Sequence, residues 1–126
     1  MNSIIVDTSS ILFGFENRKN VFDIVLREWH GCRLLMPSSI MGELRKKAQN
    51  SGKSGAYAKA ALALLHNVPA IKIRGGSNAD SWIVGNALPR KALVVTNDTL
   101  LGRRLAEMGV KVFRLSRNGM LRAYKV

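Results

Sequence analysis

Four of the eight acids in this chain, Asp7, Glu43, Asp80 and Asp98, occupy positions from which a carboxylate can do chemistry. Asp7 ends the run Ile4-Ile5-Val6, three branched apolar residues that predict a strand buried on both faces. Asp98 follows Ala92-Leu93-Val94-Val95-Thr96-Asn97 in the same manner. Glu43 falls in the second turn of a predicted helix, and Asp80 near the start of another. In open parallel sheets the carboxyl ends of the strands form the ligand-binding edge, so all four are expected within reach of one place. Clustered carboxylates repel one another, and a protein that assembles them usually holds cations between them. With no Cys or His in the group the ligands are all oxygen, which suits Mg²⁺ or Mn²⁺ and disfavours Zn²⁺.

The surroundings have the opposite sign. Twenty Lys and Arg against eight Asp and Glu give 126 residues a net charge of +12. Such a chain attracts polyanions, and nucleic acid is the commonest in a cytoplasm. A basic surface around an acidic, cation-holding pit describes a phosphodiesterase acting on nucleic acid. Lys46, Lys47, Lys53, Arg103 and Arg104 are candidate phosphate contacts, and read equally well as solvated helix faces and loop. The acids have ordinary readings too. Glu43 could pair with Lys46 or Lys47, Ser77 and Asp80 have the spacing of a capping box, and Asp98 could cap the helix after it. Asp23, four residues before Arg27, reads as half of a surface ion pair.

The elements that must position these groups alternate. Helices are predicted over 21–29, from Ser38 or Ser39 as cap to Ala48, over 56–66, over 77–88 up to Pro89, and over 99–108 with Leu100, Leu101, Leu105 and Met108 inward. Between them lie strands near 33–36, 70–73, 92–96 and 111–115, and residues 50–55 read as a flexible loop. Residues 116–126 form a basic tail with room for a short edge strand. This pattern predicts a single α/β domain, 1–126, with a mainly parallel sheet of about five strands and helices on both faces. No run approaches the roughly 18 apolar residues of a membrane span, and the lone Cys32 rules out an internal disulfide, so a cytoplasmic setting without membrane contact is expected.

Other phosphate chemistries fail on residues. Gly52-Lys53-Ser54 lacks the upstream glycine and leading strand of a P-loop. A haloacid dehalogenase-type phosphatase needs an aspartate where Ser9 stands, and a response-regulator receiver needs a phospho-accepting aspartate where the third strand ends in Ile73-Arg74-Gly75.

The strings Ile5-Val6-Asp7-Thr8-Ser9, Ile40-Met41-Gly42-Glu43-Leu44, Ala79-Asp80-Ser81-Trp82-Ile83 with Ala87, and Val95-Thr96-Asn97-Asp98 with Leu101 resemble the PIN-domain ribonucleases in order and spacing, over almost the whole chain. The resemblance implies an α/β/α sandwich and a metal-dependent endoribonuclease. It carries the four acids of the family onto Asp7, Glu43, Asp80 and Asp98, with Asp7, Asp80 and Asp98 on Mg²⁺ or Mn²⁺, Glu43 completing the cluster or orienting water, and Ser9 and Thr96 supporting the site. Pro37-Ser38-Ser39-Ile40, the alanine-rich helix, and Arg103-Arg104-Leu105 with the basic end look closer to archaeal PIN proteins similar to ribosomal RNA processing factors than to VapC-type toxins. Ribosomal RNA is therefore the implied substrate, and a homodimer or a protein partner is compatible with the resemblance. Ser81 stands where such relatives often carry a second acid. A non-hydrolytic RNA-binding or assembly module and a toxin of a toxin–antitoxin pair are the alternatives.

Overall fold

The computed structural model describes residues 3–125; Val126, counted in the basic tail, lies outside the described residues, as do the first two. In chain order the elements are β1 (Ser3–Val6), α1 (Thr8–Glu16), α2 (Val21–Glu28), β2 (Arg33–Pro37), α3 (Ser38–Ala48), α4 (Gly52–Leu65), β3 (Ala70–Ile73), α5 (Ala79–Asn86), β4 (Ala92–Val95), α6 (Thr99–Glu107), β5 (Val112–Leu115) and β6 (Leu121–Ala123). The strands make one sheet in the order β3-β2-β1-β4-β5-β6. All neighbours are parallel except the last, where β6 turns back against β5. The tail thus adds a sixth, antiparallel strand to the five expected.

Composition explains the layering. β1 and β4 are central, and their Ile4, Ile5, Val6, Val94 and Val95 are wholly buried, as a strand covered on both faces requires. β3 is an edge strand, with Ile71 40% exposed. From β1 the chain steps outward through β2 to β3, then crosses back to β4 and continues to β5. Right-handed crossovers running in opposite directions place the two sets of helices on opposite faces. The reversal falls between β1 and β4, at the switch point where open α/β sheets leave a crevice beyond the strands' carboxyl ends.

Several local expectations are corrected. The apolar segment after Asp7 is helical, forming α1. Neither Ser38 nor Ser39 caps α3: both lie inside its first turn, Pro37 holds the cap position without a side-chain bond, and Ser38 Oγ accepts from Gly75 N at 2.9 Å. α4 starts at Gly52, consuming most of the expected loop. Gly52 adopts φ +87°, which lets the chain reverse straight out of α3, and Gly55 lies so close to the Asn50 carbonyl that a Cβ would clash. α5 is shorter than expected, because Asn78 caps it by accepting from Ser81 N at 3.0 Å. Leu100 is 81% exposed and Met108 also lies at the surface, since Leu101, Leu105 and Ala106 already fill the buried face of α6. Arg27 Nε donates to the Asp23 carbonyl at 3.4 Å, a backbone bond where a carboxylate pair was expected. No helix among the described residues is long and apolar enough to cross a membrane.

Candidate active site

Asp7 leaves β1 directly into α1. It occupies the N-cap position of that helix, yet its side chain makes no capping bond. The carboxylate is instead gripped from two elements: Thr96 Oγ1, just past β4, donates to Asp7 Oδ2 at 2.9 Å and Ser9 Oγ, on α1, donates to the same oxygen at 2.7 Å. Each hydroxyl has one proton, so with both aimed at Oδ2 the 3.2 Å approach of Ser9 Oγ to Thr96 Oγ1 is a contact between acceptors. Oδ1 carries neither bond. Asp7 is only 4% exposed but lines a cavity of about 560 Å³.

The other three acids line the same cavity, together with Thr8, Ser9, Lys47 and Ser81. Glu43 arrives from the second turn of α3 and is anchored weakly by Thr8 Oγ1, 3.4 Å from Oε2. Asp80 sits in the first turn of α5; since Asn78 does the capping, Asp80 is released from the capping-box role. Asp98 does two jobs at once. Its Oδ1 accepts from Leu100 N and Leu101 N, capping α6, while its carboxylate borders the cavity. The capping reading of Asp98 was therefore correct as geometry and does not compete with a place in the site.

The carboxylates sense one another. Glu43 is pushed above the ordinary carboxylate range, first by burial and then by the charges of Asp7 and Asp80, with the Thr8 hydroxyl and Lys47 pulling the other way. Burial also raises Asp80, reinforced by Asp7 and Asp98. Such mutual repulsion is the electrostatic condition that a bound cation relieves. The donor set is carboxylate and hydroxyl oxygen, as a hard divalent ion prefers. Among the described residues no three His, Cys, Asp or Glu side chains close around a single point. The chemistry therefore fits an ion such as Mg²⁺, which keeps several waters and needs only one or two carboxylates.

Of the candidate phosphate contacts, only Lys47 lines this cavity. Lys46 lies beside it on α3, lining an adjoining hollow with Glu43, Lys47 and Asn50. Lys53 is exposed on the first turn of α4, and Arg103 and Arg104 are exposed on α6; none of the three lines either space. Trp82 is half-buried against the core with Arg90 5.5 Å over its ring.

A supporting network escaped the sequence reading. Asn97 Oδ1 accepts from Ser10 Oγ at 2.6 Å and from Leu115 N at 3.1 Å, while its Nδ2 donates to Leu115 O at 2.9 Å. One amide thus ties the loop carrying Thr96 and Asp98 to α1 and to β5. Tyr124, just past β6, donates its hydroxyl to Thr96 O at 2.9 Å, and its ring lies flush on Gly102 of α6, where a Cβ would collide with it. An amide sandwiched between a hydroxyl and an acid at the mouth of a buried strand was the available signal for Asn97. Tyr124 had none, because its partner is backbone from a distant strand.

A search of curated proteins finds no match. Among solved structures the chain is similar to the PIN domain endonuclease Utp24, at 22% identity over 98% of this chain and 92% of that one, with a TM-score of 0.79. It is also similar to VapBC-1 from nontypeable Haemophilus influenzae, at 19% identity over 87% and 96% with a TM-score of 0.60. A third likeness is to a domain of a functionally unknown protein from Methanocaldococcus jannaschii, at 15% identity over 92% of each chain with a TM-score of 0.68. These likenesses concern the fold. A family model described as a PIN like domain matches residues 4–118, and the chain belongs to that family.

Proposed function

We propose that the protein is a metal-dependent endoribonuclease. The observation that carries this reading is the opening of Asp7, Glu43, Asp80 and Asp98 onto one cavity in a chain of net charge +12. Membership of the PIN-like family and the fold shared with the endonuclease Utp24 support a nuclease in general. Ribosomal RNA as substrate is proposed on the motif resemblance and the positive charge.

Asp7, Asp80 and Asp98 would hold Mg²⁺ or Mn²⁺ between them, one or two directly and the rest through the ion's waters. When bound, the ion supplies activation of the attacking water and neutralisation of charge on the phosphate. The chain's own residues do the positioning. Thr96 and Ser9 fix the Asp7 carboxylate by engaging one oxygen, and the cap bonds of Asp98 fix the other side of the crevice. Glu43, whose proton affinity is raised by burial and by its acidic neighbours, is suited to orient water and take its proton at a carboxylate oxygen. Lys47 brings a positive charge to the same cavity, where it can receive a phosphate.

Labelled single-stranded RNA incubated with the purified protein tests the reading. Cleavage is expected with Mn²⁺ or Mg²⁺ and none with EDTA. RNA binding without cleavage under either ion, across several RNAs, would move the protein to the class of non-hydrolytic binding modules, the reading that Ser81 beside Asp80 favours.

A further inference from the structure

The acid-lined cavity does not end at Glu43. The adjoining hollow, about 360 Å³ and lined by Glu43, Lys46, Lys47 and Asn50, shares both Glu43 and Lys47 with it. The two hollows therefore adjoin at the Glu43 and Lys47 side chains, and the second extends the lining away from the other acids along α3. Positions 43, 46 and 47 are three and four apart on α3, so they make one stripe on its surface, which Asn50, just past the helix end, continues into the turn. The far end of the stripe is fixed by the tight α3–α4 turn, where Gly55 sits against the Asn50 carbonyl.

We propose that this ledge carries a single-stranded nucleic acid away from the acids, with Lys47 holding the phosphate next to the reacting one and Lys46 and Asn50 holding the phosphate after it. The inference rests on the nuclease reading and adds to it a direction and the residues that mark it. Charge supports the direction: residues 44–79, which include the last five residues of α3 and all of α4 and β3, contain seven Lys and Arg and no acid. The lining supports the form of recognition. Among the described residues no aromatic side chain borders either hollow, so the contacts available are to phosphate, without the stacking platforms that hold unpaired bases in other single-strand binders. Binding should accordingly be tolerant of base sequence. A flexible strand can follow a cleft that skirts one helix, whereas a duplex is stiff over this distance.

The test is fluorescence anisotropy of a labelled single-stranded RNA octamer in EDTA, titrated at several salt concentrations. Each phosphate contact on a single strand contributes about 0.7 to the slope of log K against log salt. The double variant Lys46→Gln/Lys47→Gln is expected to lose about 1.4 from that slope, equally for different base sequences, with thermal melting confirming that it folds. Arg103→Gln/Arg104→Gln, on α6 away from the cleft, is expected to keep the wild-type slope. An unchanged slope in the lysine pair, or an equal loss in the arginine pair, overturns the path while leaving the nuclease reading standing. Failure of the wild-type protein to bind RNA in EDTA also overturns the path, while the nuclease reading is judged separately by cleavage with Mn²⁺.

Discussion

Glu43 and Asp80 each hold a proton more tightly in the folded chain than in the unfolded one, because burial and neighbouring carboxylates disfavour their charged forms. The stabilisation linked to those protons is complete below the ordinary carboxylate values and is lost as the pH rises through the raised ones. At neutral pH the ionised pair therefore opposes folding. Glu43→Gln and Asp80→Asn are expected to melt above the wild type in EDTA at pH 7, with the difference fading as the pH drops below about 4. Thermal melts at several pH values check this, and variants that melt lower at pH 7 would show that the acids are not in conflict. Thr96 behaves oppositely. It is fully buried, donates to Asp7 and accepts from Asp98 N at 3.1 Å, so Thr96→Val leaves two polar partners short and should cost about 1–3 kcal/mol in chemical denaturation. An unchanged midpoint would place the grip on Asp7 elsewhere.

At the scale of elements, the site is assembled by chain ends that cross the sheet. Asn97 ties the mouth of β4 to α1 and β5, and Tyr124 reaches from beyond β6 to the Thr96 carbonyl over Gly102. Gly102→Ala should therefore destabilise by about 1–3 kcal/mol, as overpacking of a tight contact does. Tyr124→Phe, which keeps the ring and loses the hydroxyl bond, should cost about 1 kcal/mol. Urea denaturation of both variants checks the ranking; a neutral Gly102→Ala would mean that the Tyr124 ring yields freely. These contacts also mark how far the sequence could be read. Strands β1 and β4 were visible as branched apolar runs, because burial on both faces leaves no room for polar residues. The start of α4 at Gly52 was not, because small polar residues read as loop until Gly55 is seen closing against Asn50. Asn78 was passed over as the cap of α5, since Ser77 and Asp80 offered the same spacing a residue earlier. Asp7, Asp80 and Asp98 were legible because each lies at an element boundary, and Glu43 because it lies in the second turn of a helix that starts at the same edge, whereas the Tyr124 hydroxyl meets a backbone carbonyl that carries no sequence signal.

For the molecule as a whole, two opposed fields meet: a positive surface that gathers a polyanion and an acidic pit that repels it. In the proposed nuclease a divalent cation would resolve the conflict and, binding only to the folded state, would also stabilise the fold. Free ion at 100 times its dissociation constant adds about 2.7 kcal/mol. Saturating Mn²⁺ is thus expected to raise the melting temperature of the wild type, and to raise that of Asp80→Asn much less. Equal shifts in both would remove Asp80 from the ion's ligands. The central claim, that Asp7 at the switch point is the anchor of a nuclease site, is met most directly by single-turnover cleavage of labelled single-stranded RNA with Mn²⁺, wild type beside Asp7→Asn, with RNA binding measured in parallel. The account predicts cleavage by the wild type, loss of cleavage in Asp7→Asn, and binding preserved in both. Cleavage that survives Asp7→Asn would contradict it.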